Sequence, residues 1–75
     1  MTLADLPLHQ KAKIIGFSSD DFPLKLIELG FLNEVEVQVK CRTLWYGPIL
    51  VSLGNDSSLV ALRRKEAEFI LIEGI

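Results

Sequence analysis

The sequence predicts a mainly β domain, a small five-stranded barrel with a short N-terminal helical turn and one inserted α-helix. Three observations predict it. Short segments alternate apolar and polar residues with a period of two, turn residues separate those segments, and a single helical repeat stops at Gly30. An open sheet with one covering helix is the alternative arrangement.

Thr2-Leu3-Ala4-Asp5-Leu6-Pro7 reads as an N-cap threonine and one helical turn ended by proline, with Leu3 and Leu6 on one side to plug an end of the barrel. From Lys11 to Phe17 a half-buried first strand turns Ala12 and Ile14 inward and the lysines outward, with Gly16 marking a bulge. Ser18-Ser19-Asp20-Asp21 supplies turn and N-cap chemistry, and Pro23 suits a first helical turn. The helix is expected over Phe22 to Leu29. Its i, i+4, i+7 spacing points Phe22, Leu26 and Leu29 at the barrel and Lys25 and Glu28 at solvent, leaving Leu24 and Ile27 ambiguous.

Gly30 stands where a helix C-terminus wants a left-handed residue. After it, Val35, Val37 and Val39 share one face of a second strand that runs to about Arg42, with Glu36 and Gln38 on the other. Each valine contributes roughly 1.5–3 kcal/mol when fully buried, so a one-residue slip that exposed all three is strongly disfavoured. Cys41 continues that inward parity. Ile49, Val51 and Leu53 alternate with Leu50 and Ser52 in a third strand, Gly54-Asn55-Asp56 is a hairpin turn, and a fourth strand passes through Leu59, Val60 and Leu62. Lys65 to Glu68 has room for one helical turn before a last strand, Phe69 to Glu73.

Seventy-five residues allow one domain, 1–75, which buries only about 60–65% of the surface its unfolded chain exposes. With 49% hydrophobic residues, some apolar surface is left for a partner. One cysteine makes no internal disulfide, which fits a reducing compartment. The N-terminus has neither the basic start nor the apolar run of a signal peptide, and no segment reaches the ~20 apolar residues that cross a bilayer. A net charge of −2 with mixed signs gives no overall electrostatic attraction to nucleic acid or anionic lipid, so no nucleic-acid partner is expected, and the lack of a long apolar segment argues against direct membrane insertion.

Catalytic residues are not expected. His9, Cys41 and the carboxylates form no nucleophile and base pattern, and the glycines stand too far apart for a phosphate-binding loop. Asp20, Asp21, Glu28, Glu34 and Glu36 lack metal-ligand spacing, so neither a metal site nor a cofactor is expected; Cys41 reads as a core residue and His9 as a solvated loop residue. Arg63-Arg64-Lys65 is followed at once by Glu66 and Glu68, the mark of a solvated strand end. Trp45 and Tyr46, beside the Gly47-Pro48 turn, either anchor a partner or, in the case of Trp45, cap the barrel mouth.

Leu29-Gly30-Phe31, Val35-Glu36-Val37, Gly47-Pro48-Ile49, Leu62 to Ala67 and Ile70-Leu71-Ile72, in that order, resemble the FeoA family over Leu3 to Glu73. The resemblance implies an SH3-like barrel in which a helical turn commonly precedes the last strand. It also implies a structural role for the basic run, with Arg63 pairing a carboxylate. Asn33-Glu34 stands where the family commonly has Pro-Gly, so a looser turn is expected there. The loop from Thr43 to Pro48 departs from the family pattern as well.

The function implied is a non-enzymatic cytoplasmic accessory of bacterial ferrous iron uptake that docks to the GTP-binding region of the transporter FeoB. Leu24, Lys25, Glu28, Trp45 and Tyr46 are the candidate contact residues, apolar anchors ringed by charge. The alternative is a regulatory module related to the C-terminal domain of metal-dependent transcriptional repressors. Oligomeric state is not legible in the chain.

Overall fold

In the computed structural model, which describes residues 1–21, 23–43, 47–54 and 59–75, five strands appear: β1 (Lys11–Phe17), β2 (Glu36–Arg42), β3 (Ile49–Leu53), β4 (Leu59–Leu62) and β5 (Ile70–Gly74). They pair antiparallel in the order β4-β3-β2-β1-β5. Two short helices interrupt them, α1 (Lys25–Glu28) between β1 and β2, and α2 (Arg64–Ala67) between β4 and β5. Among the described residues no ladder joins β4 to β5, so the sheet is not closed by hydrogen bonds. The core is continuous nonetheless, with Ile14, Val39, Val51, Leu62 and Ile70 all fully buried.

The N-terminal turn is a 3₁₀ helix, Leu3–Asp5, in which the Asp5 carboxylate accepts from the Thr2 hydroxyl at 3.2 Å and from its backbone N–H at 3.4 Å. Leu3 and Leu6 are fully buried, as their shared side requires. The turn packs against α2 and β5, and Thr2 bridges Leu71. Arg42, at the end of β2, donates its guanidinium to the carbonyls of Ala4 (3.0 Å) and Leu6, holding the turn from the other side.

β1 matches expectation in bounds and parity, and its pairing with β5 shifts register between Ile14 and Gly16. β2 keeps Val37 and Val39 inside, but Cys41 is exposed, which corrects its assignment to the core. The cause is a second bulge. Val39 pairs with Val51 but Cys41 with Leu50, so β2 carries an extra residue and the face alternation inverts beyond it. Ser52, which alternates with Val51 and Leu53 along β3, is also buried, paired across the sheet with Gln38 and Leu59.

The inserted helix is shorter than its repeat suggests. Phe22 lies outside the described residues, and Leu26 N–H bonds the Pro23 carbonyl in an i+3 turn that leads into α1. Asp20 and Asp21 do not cap it: the N-cap is Leu24, without a side-chain bond, and the Ser19 hydroxyl instead accepts from the Asp21 N–H at 3.1 Å. The C-terminus is a Schellman motif. Phe31 N–H bonds the Leu26 carbonyl and Gly30 N–H the Ile27 carbonyl, both at 3.0 Å, with Gly30 at φ 105°. Phe31 and Leu26, the hydrophobic pair of that motif, are both fully buried.

That motif corrects a second expectation, because it is Phe31 that takes the core position and Leu29 is left 42% exposed. The following turn is closed rather than loose, with Val35 N–H bonding the Leu32 carbonyl at 3.2 Å. Glu34 provides the positive φ, 76°, that the third residue of a type II turn requires.

Candidate docking surface

The segment around α1 carries a run of exposed apolar side chains close together in sequence. Leu26 and Phe31 root it in the core, and the Schellman turn sets its exit. Leu24 and Ile27, three residues apart, share one face of the helical turn and are 71% and 40% exposed. Leu29 and Leu32 extend the exposed apolar run beyond the helix. Glu28 is exposed beside them.

Lys25 does not simply face water. Its ammonium pairs with Oε2 of Glu66 on α2, while Oε1 of the same carboxylate accepts the Arg63 N–H at 2.9 Å. Glu66, read from the sequence as part of a solvated face, is only 9% exposed. Burial pushes its pKa up, but the hydrogen bonds from Lys25 and the Arg63 N–H, with the charges of those two residues, outweigh it and hold the carboxyl below its ordinary value.

The expected contact residues Leu24, Lys25 and Glu28 therefore come together on one lobe. Trp45 and Tyr46 lie outside the described residues. Sequence reasoning left Ile27 undecided and placed Leu29 inside, although the i, i+3 spacing of Leu24 and Ile27 opposite Leu26 already outlines a second apolar face. It missed Glu66 altogether, since no local pattern links it to Lys25.

Other candidate chemistry stays dispersed. No group of three or more His, Cys, Asp or Glu side chains converges as a metal site among the described residues. The His9 N–H bonds the Val39 carbonyl at 2.8 Å, and its own carbonyl accepts from the Gln38 amide at 2.5 Å, so the backbone of His9 is tied to β2 while its side chain is exposed. Cys41 sits on the outer side of the β2 bulge. No described helix is long and apolar enough to cross a membrane.

The FeoA domain model matches residues 1–74. No curated protein matches the chain. Among solved structures, an FeoA-like protein from Clostridium acetobutylicum superposes with a TM-score of 0.85 at 25% identity, over 100% of this chain and 86% of that one. A FeoA from Stenotrophomonas maltophilia, determined with zinc and described as an SH3 domain protein, is 32% identical with a TM-score of 0.78, covering 97% of this chain and 89% of that one. A manganese-dependent transcriptional repressor shares the fold at 19% identity and a TM-score of 0.85, over 100% of this chain and 41% of its own length.

Proposed function

Since the chain belongs to the FeoA family of proteins associated with ferrous iron transport, we propose that it is a non-enzymatic cytoplasmic accessory that docks to the GTP-binding region of a FeoB-type transporter. The observation that carries this reading is the exposed Leu24–Ile27 pair on α1, flanked by Lys25 and Glu28. A small apolar anchor within a charged rim matches the anatomy of reversible protein interfaces. The likeness to the repressor is one of fold and assigns no role.

The test is titration with the soluble GTP-binding domain of FeoB from the same genome, nucleotide-free and with a GTP analogue, following the single tryptophan Trp45 and heat of binding. Leu24→Asp should weaken binding by about tenfold or more while leaving the melting temperature unchanged, because an exposed anchor contributes to the interface and little to the fold. Trp45→Ala, run alongside and followed by heat of binding, reports whether Trp45 shares the interface. Absence of saturable binding in every nucleotide state would sink the proposal.

A further inference from the structure

The inserted α1 segment and α2 come from opposite halves of the chain, yet one buried carboxylate serves both. Oε1 of Glu66 accepts the backbone N–H of Arg63, the N-cap of α2, and Oε2 pairs with the Lys25 ammonium at the start of α1. The two oxygens thus have different tasks. One finishes the local cap of α2, the kind of bond any glutamate three residues into a helix can make. The other reaches a helix of four residues that is too short to persist by its own hydrogen bonds.

We infer that Glu66 is the positioning residue of the α1 surface: through Lys25 it sets how Leu24 and Ile27 are presented. Leu26 and Phe31 hold the C-terminal side of α1 in the core, and Lys25–Glu66 supplies a tether at its N-terminal side. Lys25 immediately follows Leu24, and its carbonyl accepts the Leu29 N–H at 2.9 Å, so displacing Lys25 disturbs both the anchor residue and the helical turn. The ammonium itself is about half exposed and the carboxylate is not. An α1 released from Glu66 would leave that carboxylate buried without its Lys25 partner, keeping the Arg63 N–H, which opposes release. As a statement about docking, this rests on the function proposed above; as a statement about α1, it does not.

Amide hydrogen exchange on the full chain separates the two. The Leu29 and Phe31 amides report α1, and the Ala67 and Glu68 amides, bonded to the Arg63 and Arg64 carbonyls at 3.1 Å, report α2. Lys25→Met should speed exchange at Leu29 and Phe31 by about fivefold while α2 and the strands change less than about twofold. Glu66→Gln, which keeps an amide oxygen for the Arg63 N–H, should act on α1 in the same way, and the double variant should add nothing to either single change. Lys25→Arg should restore protection. Unchanged exchange at Leu29 and Phe31 in Lys25→Met, or a uniform rise across the sheet, would overturn the inference. If α1 loosens as expected and FeoB affinity falls with it, the inference holds in full. If α1 loosens and affinity is unaltered, the tether stands and it is the docking surface that fails.

Discussion

A Cβ built on Gly30 would lie 3.3 Å from Leu53 Cδ1, so the turn leaving α1 is pressed against β3 at the one residue whose backbone completes the Schellman motif. Both the φ of 105° and this approach favour glycine. Gly30→Ala should cost about 1–2 kcal/mol and lower the melting temperature by roughly 5–10 °C. Gly54, at φ 58° with open space around it, isolates the backbone contribution. Thermal denaturation of both alanine variants should show Gly30→Ala as the more damaging; equal losses would mean that Leu53 yields freely.

Glu34 holds a positive φ of 76° without being glycine, and its carboxylate pairs with Lys13 at 3.4 Å, both side chains exposed. Such a pair contributes little. Glu34→Gly should therefore stabilise the protein by about 0.5–1 kcal/mol, the released strain exceeding the lost ion pair and the added chain entropy. Urea denaturation gives the sign directly.

Arg42 connects the end of β2 to the N-terminal turn through two carbonyls, those of Ala4 and Leu6. Arg42→Ala should destabilise by about 1–2 kcal/mol, and Arg42→Lys should recover only part of it, since an ammonium does not reproduce the planar fork. Exchange of the Leu6 amide, bonded to the Leu3 carbonyl at 3.3 Å, should rise most, locating the damage in the turn.

The Glu66 carboxyl titrates below its ordinary value of 4.5, facing Lys25 from α1 and Arg63 from its own element. A carboxyl with a folded pKa below its unfolded one stabilises the fold above the unfolded value and loses that contribution as pH falls through the folded one. Glu66→Gln should thus be less stable than the parent chain by only about 0.3 kcal/mol near neutral pH, since the Lys25 ammonium is half exposed. The gap should narrow once pH drops below 4.5. A gap that stays constant into strong acid would show that the charge of Glu66 contributes nothing.

Local interactions made much of this protein readable from its residues. The Gly30 stop, the inward pair Ala12 and Ile14, the bulge at Gly16, the capped turn at Thr2 and the helical turn before β5 each depend on neighbours within a few positions, and the structure places them as expected. Two features depended on partners far along the chain, and a third on which of several nearby side chains packs into the core. The extra residue in β2 inverts its face alternation only because β3 pairs on both sides of it, which is why Cys41 points outward. Helical spacing made Leu26 and Leu29 equal candidates for the core, and the packing of Phe31 decided between them. Lys25 and Glu66 each look like a solvated charge in their own surroundings; the fold alone makes them partners, because a side chain's neighbours across space follow from how strands and helices pack and not from its neighbours in sequence.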